Sequence, residues 1–232
     1  MVERNPVSRR AIMAGVAGGL AISALPRVAR ADARQDAADL VSNATTAVSS
    51  MRRDENLSAM DRYLKDASGA MIFPQLVRGG FIVGGEGGSG VLLVKGSDGT
   101  WSPPAFYTLA AGSIGFQIGG QVAEVVFAIM NQGAVEAVLK NSFKFGADAS
   151  IAVGPVGQGV AASTTTNLQA DIISFSRTQG LFGGGSLEGT ALLPKDSYNA
   201  AYYGAQGVTP RQIVIERRYF NAGADALRKA LP

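Results

Sequence analysis

The pattern of apolar and polar positions changes character once along the chain, and that change predicts two kinds of structure. From Asp32 to Ala67, apolar side chains recur at Leu40, Ala44, Ala47, Val48 and Met51, then at Met60 and Leu64. Steps of three and four place them on one face of a helix, with Asp36, Asp39, Asn43, Arg52 and Arg53 on the other. Asp54-Glu55-Asn56 breaks the run, Ser58 is positioned to cap a second helix, and Ser68-Gly69 ends it. Beyond Gly69 the apolar runs shorten. "AMIF", "GFIVG", "GVLLVK", "AFYTLAAGSIGFQIG", "AEVVFAIM", "FGADASIAVG", "QGVAASTTT", "DIISFSRT" and "LEGTALL" set β-branched and aromatic residues between glycines, as strands do. Two further helices are predicted, "QGAVEAVLKN" and "RRYFNAGADALRKALP". The expected fold is α+β: a glycine-rich curved antiparallel sheet or partial barrel. It is packed with an N-terminal helical leader (32–67), a short internal helix and a C-terminal helix, and residues 68–232 form the β-rich body of one domain.

The chain holds 30 glycines, and inside "GGFIVGGEGGSGVLLVK" Gly85, Gly87 and Gly90 spell G-x-G-x-x-G. A phosphate-binding reading requires a strand before this motif and a helix after it, because the phosphate rests on the helix N-terminus. "VLLVK" is too short and too β-branched for that helix, and no acidic residue closes a βαβ unit behind it. The motif therefore reads as a turn between two strands, with glycine supplying bends and close backbone approach.

Residues 1–31 have a different organisation. A basic start, "MVERNPVSRR", leads into the mild apolar run "AIMAGVAGGLAISAL", then Pro26 and the small-x-small triplet Ala29-Arg30-Ala31. This is the order of an export signal peptide, and Arg9-Arg10 resembles a twin-arginine signal. The expected location is periplasmic or associated with the cell envelope. The full chain has 21 Lys+Arg against 18 Asp+Glu. Removing residues 1–31 takes five arginines and one glutamate, which leaves 16 basic and 17 acidic residues. The basic balance belongs to the signal, so nucleic acid is not an expected partner.

Candidate chemistry is sparse. With no His and no Cys, a Ser-His-Asp triad, a thiolate nucleophile and the usual zinc ligand sets are all excluded. The carboxylates Glu86, Asp98, Glu124, Asp148, Asp171 and Glu188 stand singly, and no Asp/Asn-rich calcium loop occurs. No catalytic residue, cofactor or metal is expected. Surface recognition remains. Arg52, Arg53, Arg62 and Lys65 lie on the leader, and Arg78 and Lys95 lie at strand ends. An amphipathic basic helix can rest in a bilayer interface, so these cations are candidates for binding anionic phospholipid. The same apolar stripe could instead cover the β body. Arg217-Arg218 is a further pair that binds phosphate or caps a solvated helix start. A second reading is an interaction module that meets protein through an aromatic patch of Trp101, Phe106 and Tyr107.

In order along the chain, "MIFPQLVRGGFIVGGEGGSGVLLVK", "WSPPAFYTLAAGSIGFQIGGQ", "VVFAIMN", "FGADASIAVGPVG", "GLFGGGSLEGTALLP" and "YNAAYYG" closely resemble the SYLF (Ysc84-like, DUF500) lipid-binding family. The resemblance runs from about Leu64 to Gly204. It implies a non-enzymatic module whose eukaryotic members bind phosphoinositides and membranes, some also actin. The family's basic amphipathic segment corresponds here to the region of Arg52, Arg53, Arg62 and Lys65.

Overall fold

The computed structural model describes residues 25–80, 83–114, 121–155, 169–178 and 189–232. The first 24 residues of the expected export segment lie outside the described residues, and Leu25 to Ala31 belong to the first helix. That helix, α1 (Leu25–Arg52), runs without a break into the predicted leader. It stops where Asp54 turns extended; the Asp54 carboxylate accepts the Asn56 amide and starts a 3-10 turn, Glu55–Leu57. Helix α2 (Ala59–Asp66) follows. Ser58, expected to cap it, has a helical backbone and makes no capping bond with its side chain.

The body is an eight-stranded curled sheet, a half-barrel, in the order β5-β8-β3-β2-β1-β4-β7-β6. Its strands are β1 (Gly69–Gly80), β2 (Val83–Val94), β3 (Ala105–Ile114), β4 (Gln121–Ile129), β5 (Phe143–Lys144), β6 (Ile151–Val153), β7 (Ile172–Thr178) and β8 (Ala191–Pro194). Neighbours pair antiparallel except β6, which runs parallel to β7. Between β4 and β5 lies the predicted internal helix, α3 (Gln132–Val138), capped by Asn131. Two helices were not expected: α4 (Asp196–Tyr203) and α5 (Pro210–Val214). The C-terminal helix is shorter than predicted, α6 (Asp225–Ala230) after a 3-10 turn at Ala222–Ala224. "RRYFN" stays out of it because Arg217 takes φ +49 and the Asn221 side chain accepts the Gly223 amide, starting the helical turn only there. "FGADASIAVG" yields a turn closed by an isolated Phe145–Ala149 bridge and then β6, and the expected strand "QGVAASTTT" lies outside the described residues.

The glycine block is strand rather than turn. Gly85, Gly87 and Gly90 all pair within β2, and a strand rather than a helix occupies Ser89–Val91. The reason for glycine lies in the neighbouring strand. β1 gains one residue over β2 between Ile72 and Val77, and one over β4 between Phe73 and Leu76. Pro74, which has no N–H for the ladder, sits in this bulge. The bulge presses on β2: a Cβ at Gly88 would lie 2.4 Å from the Gln75 carbonyl oxygen, and one at Gly90 would lie 2.6 Å from the Phe73 ring. No larger residue fits at either position without moving the central strand.

Side chains of the sheet alternate between two buried faces. Ala70, Ile72, Val91, Leu93, Phe106, Val126 and Phe175 pack under α1, α2, α4 and α6. Met71, Phe73, Leu92, Tyr107, Val125 and Phe127 pack against α3, α5 and the Phe143–Phe145 segment. The leader's apolar stripe, including Ala44, Val48, Met51, Met60 and Leu64, is core. Double cover holds only for the lower half, the end of the sheet that contains Gly69, Val94, Ala105 and Ile129. In the upper half, toward Gly80, Val83 and Ile114, the helix-side face emerges. Ala191, Ala110, Gly87, Val77 and Val122 form one row in register across five strands. Val77 and Val122 are 44% and 47% exposed.

Candidate interaction surface

The five cations expected to contact lipid are not equivalent. Arg52 is half-buried and committed inside the fold. Its Nε and one terminal nitrogen donate to the Asp61 carboxylate, and the other terminal nitrogen donates to the Ala230 carbonyl. It therefore ties α1 to α2 and α6, which corrects its assignment to the solvated face. The Arg52 guanidinium in turn holds the Asp61 carboxyl below the usual carboxylate range. Arg53, one residue on, is exposed and makes no side-chain bond to a described residue. Arg62 is exposed on α2 with its guanidinium 5.4 Å from the centre of the Tyr63 ring. Lys65 is exposed and only loosely paired, 3.8 Å from Asp61. Arg53 follows the end of α1, and Arg62 and Lys65 stand on α2, which the Arg52–Asp61 pair fastens to that end. Arg78 is placed by its backbone alone, opposite Glu86 and Gln121 in the upper half of β1, away from the other four.

Lys95 is a helix clamp rather than a free cation. Its Nζ donates to the carbonyls of Leu64 and Lys65, 3.0 and 2.8 Å away, at the negative end of α2. It also lies 4.6 Å from the centre of the Trp101 ring. Partial burial lowers its pKa. Arg217 is fixed too, donating to the side chain and carbonyl of Thr100. Arg218 pairs with Glu216. The proposed aromatic patch does not exist as a surface. Trp101, Phe106 and Tyr107 are all buried, the indole N–H donates to the Pro232 carbonyl, and burial pushes the Tyr107 hydroxyl far up. Because helices cover both faces of this part of the sheet, alternation along β3 exposes neither side.

The scattered carboxylates are held by their neighbours. Asp98 accepts from Thr100, Asp148 from the Lys144 amide, and Asp171 from Asn131 and Ser150; Glu124 pairs with Arg177. Glu86 and Glu188 have side chains outside the described residues. Among the described residues no three His, Cys, Asp or Glu side chains gather as a metal site. No described helix is long and apolar enough to cross a membrane. One polar pair escaped sequence reasoning because 106 residues separate its members. Lys195 Nζ donates to Ser89 Oγ at 2.7 Å and lies 3.6 Å over the Tyr198 ring, whose hydroxyl bonds Asp36. Partial burial lowers the Lys195 pKa, with Asp36 opposing the shift; the lysine ties the start of α4 to β2, and Tyr198 ties α4 to α1.

Two exposed residues at the lower end were also missed. Lys229 stands on α6, beside the Ala230 carbonyl that Arg52 binds. Phe220 is 66% exposed, the most exposed large apolar side chain described. The only sequence signal for it was its place after Arg217-Arg218-Tyr219.

Comparison with known proteins matches residues 110–232, more than half of the chain, to the Ysc84 family, described as Las17-binding protein actin regulator. Among curated relatives, Protein YSC84 of Saccharomyces cerevisiae is 32% identical over 171 residues, which is 72% of this chain and 36% of the relative. LAS seventeen-binding protein 3 of the same yeast is 33% identical over 144 residues, 61% of this chain and 31% of the relative. SH3 domain-containing YSC84-like protein 1 of Xenopus laevis is 30% identical over 141 residues, 60% of this chain and 42% of the relative. The chain thus spans well under half the length of the relatives it matches.

Proposed function

The chain belongs to the Ysc84 family, some of whose members are named as binding proteins, and we propose that it is a non-enzymatic binding module whose ligand is an anionic phospholipid surface. The observation that carries this reading is the exposed corner of Arg53, Arg62 and Lys65 at one end of a rigidly packed domain. The mechanism differs from an amphipathic helix lying in the bilayer. The apolar stripe of the leader is committed to the core, so the helix cannot release it without unfolding. Recognition is by cations on a preformed surface. Each basic residue near an anionic membrane contributes about 1 kcal/mol, and Asp54, Glu55, Asp61 and Asp66 lie among these cations. Binding is therefore weak and salt-sensitive. In this reading residues 1–31 direct export, and the surface met is that of an envelope membrane.

Co-sedimentation with liposomes tests the proposal. The chain should pellet with phosphatidylcholine vesicles that contain phosphatidylglycerol, less so as salt rises, and not with phosphatidylcholine alone. Replacing Arg53 and Arg62 by Gln should weaken pelleting roughly thirtyfold, in line with about 1 kcal/mol per cation. Equal pelleting with both vesicle types, or none with either, rejects the reading.

A second reading, a protein partner, is favoured by the relatives' names and by the exposed row from Ala191 to Val122. Recovery of a partner that resists high salt and is lost on substituting Val77 and Val122 by Asp would support it.

A further inference from the structure

Three cations interspersed with carboxylates bring a surface close to a membrane but do not hold it there, and the leader's apolar face is unavailable to help. We propose that Phe220 is the apolar anchor that enters the interface of an anionic bilayer beside these cations, an inference that rests on the lipid-surface reading above. The segment around Phe220 is fixed on both sides. The Glu216 amide donates to the Arg211 carbonyl at 3.1 Å, and the Arg218 amide to the Gln212 carbonyl at 3.0 Å. The Arg217 guanidinium holds Thr100 through its side chain and its carbonyl, 2.8 and 2.7 Å away, while its backbone sits at φ +49, a conformation uncommon for a side-chain-bearing residue. The Tyr219 ring rests against Tyr203, with centres 5.8 Å apart. Asn221 donates to the Tyr202 carbonyl at 3.0 Å and accepts the Gly223 amide at 2.9 Å. Between these anchored residues, Phe220 turns two-thirds of its surface to solvent.

A backbone this constrained has already lost the freedom that binding would otherwise cost, which makes an exposed aromatic on it an effective contact. The position suits a bilayer. Arg217 binds Thr100 in the connection between β2 and β3, at the lower end of the sheet. The same end carries Lys65, whose carbonyl Lys95 holds, and the α1 terminus that Arg52 fastens to Ala230. An aromatic ring flanked by cations and polar backbone matches the boundary between headgroups and acyl chains.

The chain has no cysteine, so Phe220→Cys gives a single site for an environment-sensitive dye. With vesicles of phosphatidylcholine and phosphatidylglycerol, a dye at 220 should shift to the blue and be quenched by acyl-chain-attached quenchers. A dye on Ala226→Cys, exposed on α6, should do neither. Phe220→Ala should weaken vesicle binding about tenfold with an unchanged melting temperature, and Phe220→Trp should restore it. Wild-type pelleting by Phe220→Ala together with an unshifted dye would overturn the anchor and leave the lipid reading standing. Failure of the unsubstituted chain to pellet would overturn both. A shift produced by a protein partner but not by vesicles would overturn the bilayer as occupant.

Discussion

The lower and upper halves of the sheet share strands but not physics. In β2 the lower half reads Val91-Leu92-Leu93-Val94, and all four side chains are buried because helices or loops cover both faces. The upper half of the same strand reads Val83-Gly84-Gly85-Glu86-Gly87-Gly88-Ser89-Gly90, with no apolar side chain after Val83, and Ser89 meets Lys195 at the start of α4. The lower half is held by side-chain packing. The upper half relies on backbone ladders, on the fit of β2 against the β1 bulge and on the one face where Leu76, Leu109 and Ala123 stay buried. The same element therefore changes its source of stability within about six residues, and glycine serves different purposes at neighbouring positions.

Strand β4 offers the strongest contrast. Phe127 is fully buried, edge-on to Phe73 at 5.8 Å and stacked on Phe145 at 5.1 Å. Phe127→Ala should cost about 3–5 kcal/mol of stability, as large aromatic truncations in cores do. Val122→Thr, five residues up the same strand, should stay within about 0.5 kcal/mol. Urea midpoints for the two variants measure the contrast, and similar losses would mean that the upper half is covered after all. A smaller effect separates two glycines of β2. Gly90→Ala forces a methyl against the Phe73 ring and the Ile72 carbonyl, 2.6 and 2.7 Å away, and should cost about 1–3 kcal/mol. At Gly87 the nearest neighbour is the Leu109 carbonyl at 3.5 Å, so Gly87→Ala should be neutral or slightly stabilising. The smallest effect concerns the joint between α1 and α2. Asp61 has a folded pKa below its unfolded value, chiefly through Arg52. Its contribution is present above the unfolded value, about 3.9, and disappears as pH falls through the folded one. Asp61→Asn should lower the melting temperature at pH 7, and the difference from the parent should close toward pH 2. A difference that persists at acid pH would assign the loss to packing.

The leader was legible because a stripe at helical spacing forms wherever one face is buried, and its boundaries needed only Asp54 and Ser68. The strands were legible from β-branched runs between glycines. Their two-sided burial was not, because alternation ordinarily means one wet face; this is why Trp101, Phe106 and Tyr107 were misread as a surface. Helix α5 carried a readable start in Thr209-Pro210-Arg211-Gln212, where the Thr209 and Gln212 side chains cap reciprocally. Helix α4 offered less, since "DSYNAAYY" sets tyrosines on several sides. The site was only partly legible. Arg53, Arg62 and Lys65 emerged exposed, but nothing in the order of residues separates Arg53 from Arg52. The distinction is made by Asp61 and by the Ala230 carbonyl, 178 positions away. Phe220 was hidden for the opposite reason: an apolar residue near a helix reads as core until its neighbours are seen to hold it outward.

The clasp between Trp101 and the Pro232 carbonyl, together with that between Arg52 and Ala230, sets a timetable for assembly. A polypeptide emerging N-terminus first has made α1 and the whole central meander before the residues that lock them together exist. Until positions 225–232 arrive, the helical lid over the sheet cannot close and its greasy underside stays open to misassociation. Removing the last eight residues should therefore slow refolding far more than their small size suggests.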